Sequence, residues 1–432
     1  MADSVDARDL PPKARRTLID TMEIDTRLLG MIGAFVVICV VFDVWTGGRF
    51  LTPRNLFNLT IQTVSVAIMA TGMVFVIVTR HIDLSVGALL ATCSAIMAMV
   101  QTHVLPNWFG FELGSAMIAP VAILVGLFFG AVIGAFHGWL IGYLTIPAFI
   151  VTLGGLFVWR NVAWHLTDGQ TIGPLDSNYV MLGGIDGTLG ETGSWILAAL
   201  AIALTLYLLI GARQNKIAHK FPVKPVWAEF VIGAILVAAI AGFVWMLNAY
   251  DVPIGRLKRL FKEAGEVMPK GYSEGYGVPY SVLILIAVAT VMTVVAQRTR
   301  LGRYIFATGG NPEAAELSGI NTRLLTVKIF AIVGVLCALS AVVASARLNF
   351  HSNDIGTLDE LRVIAAAVIG GTALSGGIGT IYGAILGALI MQSLQSGMAM
   401  VGVEAPYQNI VVGIVLVFAV YVDIVYRKRT GD

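Results

Sequence analysis

The chain alternates long apolar stretches with short polar loops. The stretches cover 28–45, 56–79, 84–105, 115–136, 146–165 and 194–211, then 226–247, 279–296, 324–346, 361–374, 378–400 and 407–426. A helix needs roughly 20 mostly apolar residues to cross the hydrocarbon core of a bilayer. In that medium every backbone N–H and C=O must find its partner inside the protein, so helices are the expected element. The pattern predicts an all-α polytopic membrane protein, a bundle of about 10–12 transmembrane helices. The 361–374 stretch is too short to cross alone and reads as half-spanning or re-entrant, and residues 138–145 read as part of a broken helix.

Composition sharpens this. Hydrophobic residues make up 57% of the chain and charged residues 12%, with a mean hydropathy of +0.84. That is about half the charge of a soluble domain, which excludes a soluble enzyme. No stretch outside the membrane is long enough to bury a core, so residues 28–426 form one membrane domain. Residues 1–27 are polar and mixed in charge, with Pro11-Pro12, and are expected to be a cytoplasmic tail rather than a cleaved signal. Residues 427–432 form the second cytoplasmic tail. The net charge of +2 gives no reason to expect a nucleic-acid partner.

Basic residues orient a membrane protein, because loops rich in Lys and Arg stay in the cytoplasm. Arg15 and Arg16, the run from Arg213 to Lys224, and Arg427-Lys428-Arg429 therefore place both termini inside. The loop 167–193 holds Asp168, Asp176, Asp186 and Glu191 but no Lys or Arg, which suits the outer face. Five basic residues between Arg256 and Lys270 leave the side of 251–277 open. Cys39, Cys93 and Cys337 lie in apolar stretches and read as free buried thiols. All eight tryptophans fall near the ends of spans, as an interfacial belt would have them; sugar stacking is the alternative. Gly126, Gly130 and Gly134, and again Gly383 and Gly387, carry the small-xxx-small spacing that lets helix backbones approach.

Three segments carry more specific chemistry. In the loop 297–323, Asn311 can cap free N–H groups, Pro312 fits the first helical position and Glu313 complements the positive helix end. Ala314, Ala315, Glu316 and Leu317 favour helix, and Gly319 can take the left-handed stop. Such a capped knob, on the basic side between two spans, is one a cytoplasmic partner could grip; an ordinary ordered loop is the plainer reading. In Arg80-His-Ile-Asp-Leu-Ser-Val-Gly, Asp83 is an N-cap candidate, with Ser85 and Gly87 in the first turn. A break at membrane depth needs protein or a water-filled cavity beside it, which points to a transport path as readily as to a capped tight turn. Leu374-Ser-Gly-Gly resembles an ABC ATPase signature, but the chain has no P-loop, so the glycines read as a turn or helix break. HExxH, GxSxG and zinc-site spacing of histidines are missing, and ionisable residues deep within spans read as nearly absent, so a driving force from another chain is expected.

Four motifs in order, Ile82-Asp-Leu-Ser-Val-Gly, Pro147-Ala-Phe-Ile-Val-Thr-Leu-Gly-Gly, the run from Gly309 through Gly310 to Asn321, and Gly370-Gly-Thr-Ala-Leu-Ser-Gly-Gly-Ile-Gly-Thr, resemble the permeases of bacterial monosaccharide ABC importers. The similarity runs from about Phe50 to Tyr426. It implies a non-catalytic inner-membrane permease that carries a monosaccharide, D-xylose first, with another sugar or a polyol as the alternative. It also implies a homodimer with the path at its centre, a cytoplasmic tandem-domain ATPase that binds the ATP and Mg, and a periplasmic sugar-binding protein. No cofactor is expected in this chain. The family's coupling loop corresponds to Gly310, Asn311, Pro312, Glu313, Ala314, Ala315, Glu316 and Gly319, and Asp83, Ser85 and Gly87 are expected beside the substrate pathway. A secondary transporter is the less favoured class, since neither inverted repeats nor buried carboxylates are evident, and no catalytic set supports a membrane enzyme.

Overall fold

A computed structural model describes residues 26–263 and 265–430. Most of the N-terminal tail and the last two residues of the C-terminal tail lie outside the described residues. Within them the chain is helical, with isolated bridges and no strand. The helices are α1 Thr26–Trp45, α2 Pro53–Val78, α3 Val86–Met99 and, after a π-helical turn at Val100–Val104, α4 Leu105–Phe109. There follow α5 Ile118–Gly142, α6 Ala148–Leu166, α7 Ser177–Val180, α8 Gly190–Ala218, α9 Val226–Asn248 and α10 Ile254–Glu263. The remainder are α11 Tyr280–Arg298, α12 Arg300–Gly310, α13 Pro312–Leu317, α14 Thr322–Leu348, α15 Asp359–Ile369, α16 Ile381–Met400 and α17 Ala405–Thr430.

Among the described residues nine helices are long and apolar enough to cross a membrane: α1, α2, Val86–Phe109 as one rod, α5, α8, α9, α11, α14 and α16. A shorter apolar stretch, Ala405–Tyr421, opens α17. Helix α6 and the half-length α15 complete the path. The short 361–374 stretch is indeed a half helix. The break read at 138–145 falls later: α5 runs unbroken to Gly142, and the chain turns at Thr145, whose φ is +55°.

Contacts between loops give each end of the bundle its members. The 251–279 segment pairs with the acidic loop through the bridges Thr188–Pro279 and Gly190–Gly277 and the Arg256–Asp186 ion pair. The rings of Tyr250 and Tyr276 pack against Phe57 at the start of α2 in tilted pairs, with centroids 5.3 Å away in each case. At the other end of α2, Gly377 N–H donates to the Val78 carbonyl at 2.9 Å. Helices α12 and α13 therefore sit at the end opposite the 167–193 loop, separated from it by the length of α11.

The most extensive contact in the bundle is α5 on α14. Glycines at 130, 134, 138 and 142 face that helix, and a Cβ at Gly134 would run into the Phe330 carbonyl oxygen. Gly334 presses back on Gly130 in the same way. Gly126 instead makes room for the Met97 side chain. Without a hydrophobic drive between helices in lipid, such close backbone approach supplies the dispersion contacts that hold the pair. Gly383 and Gly387 do likewise for α16 against α15, facing Gly370 and Ala366. The three cysteines are free and buried, as expected. Seven of the tryptophans are exposed; Trp159 instead turns inward.

Gly134→Val is expected to lower the thermal unfolding temperature of the detergent-solubilised protein, or to prevent its recovery as a monodisperse species. A backbone carbonyl cannot move aside, and overpacking costs about 1–3 kcal/mol or more. Gly211→Ala is the control, since nothing lies within 4 Å of a Cβ there. Equal unfolding temperatures for the two variants would show that the α5–α14 contact is not tight.

Candidate functional site

Three places bring chemically distinctive residues together. The first is the end of the bundle that carries α12 and α13. Asn311 caps α13 by accepting from Ala314 N–H at 3.0 Å, and Pro312 occupies the first turn. Gly319 takes φ +85°, and the pair of bonds Ile320 N–H to Ala315 O and Gly319 N–H to Glu316 O forms a Schellman stop. Glu313, Glu316 and the 91%-exposed Leu317 face outward from this knob, while Ala315 is buried. Helix α12, an eleven-residue helix within the 297–323 loop, connects the knob to α11 and is capped by Thr299.

Arg80 ties this element to the bundle. It sits at the left-handed C′ position of α2, with φ +64°, where glycine is the ordinary choice. Its guanidinium donates from Nε to Gly309 O at 3.0 Å and from Nη2 to Gly310 O at 2.8 Å. A cation on the last carbonyls of α12 also complements that helix dipole. The Leu374–Gly377 turn packs on the same spot, with Gly376 at φ +91° touching Arg80. The glycines of this motif therefore make a tight turn, one of the two readings open to the sequence. One junction joins the end of α2, the knob and the connection between α15 and α16.

The second place is the break between α2 and α3. Ser85, not Asp83, is the N-cap residue of α3. Asp83 instead accepts from Ser85 N–H at 2.8 Å and from Ser85 Oγ at 2.6 Å, closing an Asx turn. Trp159 Nε1 donates to His137 Nε2 at 2.8 Å, which leaves the imidazole proton on Nδ1, 3.3 Å from Ser85 Oγ. Thr152 Oγ1 bonds the Ile82 carbonyl at 3.3 Å, so the second and first motifs meet here. Every donor in this chain points toward the Asp83 carboxylate. Asp83 and Ser85 are buried. Gly87 lies against Gly356 and Glu360, each glycine leaving no room for a Cβ on the other.

The third place was not found in the sequence. A cavity of about 680 Å³ opens between α2, α14, α15 and α16, with Gln62, Arg347, Asp359, Arg362, Gln392 and Gln395 on its walls. Arg362 bonds Asp359 at 3.0 Å, and Gln392 of α16 donates to Gln62 of α2 at 3.0 Å. Gly356 lines it too, so Gly87 stands one residue behind the wall, whereas Asp83 and Ser85 are not among its lining residues. The descending loop 349–358 is held by Arg160 of α6, whose Nη1 donates to Asn353 O at 2.9 Å and Ile355 O at 2.6 Å. The expectation that buried ionisable residues are nearly absent is thus corrected. Asp359 and Glu360 are buried, and Arg160, Arg347 and Arg362 surround them. The missed signal was Asp359-Glu360 with Arg362 at the mouth of an apolar run too short to span, where charge reads as function.

A neutralised acid–base pair beside four glutamines, Gln62, Gln392, Gln395 and Gln408, suits a neutral polyhydroxylated ligand, since each group can donate to or accept from a hydroxyl without a net charge to satisfy. Among the described residues no group of His, Cys, Asp and Glu could hold a metal ion.

Residues 55–420 match the family described as branched-chain amino acid transport system / permease component. The chain is 34% identical over 401 residues to the xylose transport system permease protein of Haemophilus influenzae, covering 92% of this chain and 96% of that one. It is 34% identical to the Escherichia coli K12 xylose protein, covering 93% and 92%, and 32% identical to the ribose import permease protein of that strain, covering 87% of each. No solved structure matches. The chain belongs to the branched-chain amino acid and sugar permease family of ABC importers, and is a non-catalytic membrane subunit of the sugar type whose ATPase is a separate partner.

Proposed function

We propose that this chain carries D-xylose inward across the bacterial inner membrane, as a homodimer with both termini cytoplasmic, fed by a periplasmic binding protein and driven by a tandem-domain ATPase docked on α13. The observation that carries the reading is the polar cavity of about 680 Å³ with its paired Arg362 and Asp359. Ligand sites commonly measure about 300–1,000 Å³. Amide and charged groups at membrane depth replace the water that a sugar's hydroxyls must shed, and several weak bonds let the sugar leave again. Full-length similarity to the xylose permeases favours that pentose over ribose.

Force reaches the cavity through the junction at Arg80. When the nucleotide sites close, a push on α13 moves the Gly309–Gly310 carbonyls. Arg80 and the 374–377 turn then pass the motion to α2, α15 and α16, three of the cavity's four walls. Asp83, Ser85 and Gly87 serve the pathway by fixing the start of α3 against Gly356, rather than by touching sugar.

Uptake of radiolabelled sugars by cells expressing the chain with its ATPase and binding protein tests the substrate. D-xylose should enter fastest, and Gln392→Ala with Asp359→Asn should lower its uptake at least about tenfold, as lost polar contacts of roughly 1–2 kcal/mol do. Faster entry of ribose would move the assignment to that sugar. Xylose uptake without the ATPase would point to a secondary carrier.

Coupling has its own test. Arg80→Gly keeps the backbone turn, for which glycine is better suited, and removes only the guanidinium. Insertion and thermal stability should hold, while xylose entry per ATP hydrolysed falls severalfold. Gly319→Val and Glu313→Arg should reduce recovery of the ATPase on the membrane. Normal uptake and normal assembly in all three variants would remove α13 as the coupling element.

A further inference from the structure

The polar groups on the wall of the cavity beside α15 fall into two sets. Those of the first already have protein partners. Arg362 bonds Asp359 at 3.0 Å, Gln392 donates to Gln62 at 3.0 Å, and Gln408 gives its Nε2 to the Val403 carbonyl at 2.7 Å. Arg347, Asp354 and Gln395 form the second set. Among the described residues the side chains of these three make no hydrogen bond and no ion pair. Arg347 stands among the cations around Asp359 without bonding it.

The backbone that carries the second set is fixed. Arg347 lies in the last turn of α14, two residues before Asn349 ends the helix at φ +61°. Leu175 N–H donates to Asn349 Oδ1 at 3.0 Å and pins the chain where it leaves. Further down the descending loop, Arg160 grips the carbonyls of Asn353 and Ile355, one on either side of Asp354. Gln395 follows Gln392 by one turn of α16. A cation in the last turn of a helix complements its dipole, which accounts for the charge of Arg347. It does not account for a guanidinium left without an acceptor on a cavity wall, where polar groups are ordinarily met by a partner.

We infer that Arg347, Asp354 and Gln395 are the specificity-determining contacts of the cavity, and that they recognise a pair of adjacent hydroxyls on a neutral sugar. Arginine offers donors only, in a fork that suits two neighbouring oxygens, and a carboxylate offers acceptors only. A hydroxyl is both, so it can accept from Arg347 and donate to Asp354 at once, while Gln395 serves a further hydroxyl. The set carries no net charge, which favours a free sugar over a sugar acid or a sugar phosphate. The first set, bonded within itself, frames the wall and has less to give a ligand. This assignment rests on the transport reading above and names the residues that make the choice.

The test compares initial uptake of D-xylose with that of its 2-, 3- and 4-deoxy analogues, in cells holding the full-length chain, its ATPase and its binding protein. The binding protein's own preference enters every ratio equally, so it cancels between wild type and variant. Arg347→Gln should narrow the preference for D-xylose at least about fivefold at two adjacent positions and leave the third unchanged, as loss of a charged hydrogen bond does. Arg347→Lys keeps the charge without the fork and should narrow it at one position; it supplies the ratio if Arg347→Gln carries nothing. Lys262→Gln, on the exposed side of α10, removes a charge elsewhere and should leave all three ratios as they are. Thermal unfolding in detergent separates contact from structure. Arg347→Gln should hold its unfolding temperature, whereas Arg362→Gln, which strands the buried Asp359, should lose it. Wild-type ratios at all three positions in both Arg347 variants would overturn the proposal, with or without a loss of stability. Absence of xylose uptake by the wild type is a different failure, that of the transport reading, and the assignment would fall with it.

Discussion

Backbone that leaves the helix at membrane depth has no water to turn to, and must be covered by protein. In this chain that constraint centres on the contact between Gly87 and Gly356. The connection from α2 to α3 climbs back into the bundle, and the loop from α14 to α15 descends into it. Each covers the other, with the Gly87 and Gly356 carbonyls lying where side chains would otherwise stand. Much else follows from that meeting. Asp83 must satisfy Ser85 from within, since no solvent reaches it. Arg160 must hold the descending loop by its carbonyls. Asp359 and Arg362 enter the membrane because α15 starts in the middle of the bundle rather than at its surface.

A half helix with charge at its buried start is costly unless the charges are paired and useful. Here the pairing is Asp359 with Arg362, and the use is a polar wall on a cavity otherwise bounded by long apolar helices. The same half helix ends in the 374–377 turn beside Arg80, so one short element touches both the cavity and the end that carries α12 and α13. On the coupling proposed above, movement at one end has a rigid route of little more than three helical turns to the other.

What the sequence disclosed divides along the range of the interactions involved. The α13 knob was legible residue by residue, because Asn311, Pro312 and Gly319 act on their own neighbours. Apolar lengths gave the helical class and the glycine spacing gave one face of α5, yet not its partner α14, which lies nearly two hundred residues further on. Helix α12 was hidden inside a loop because its amphipathic pattern is only eleven residues long. Asp83 was placed at the right break but one role away, since an Asx turn and an N-cap use the same carboxylate chemistry. The cavity was invisible. Gln62, Arg347 and Gln392 are unremarkable singly, and only the packing of four distant helices assembles them.

The central claim, that the cavity beside α15 is the sugar's path, can be examined by placing one reactive thiol on its wall. The native Cys39, Cys93 and Cys337 are buried, so background labelling is low. A Gln395→Cys variant, assembled with its ATPase and binding protein in membrane vesicles, is treated with a small hydrophilic methanethiosulfonate reagent during transport. The account predicts that labelling blocks D-xylose uptake, and that sugar delivered by the binding protein slows the labelling. Full uptake by the labelled protein, at a labelling rate indifferent to sugar, would contradict it.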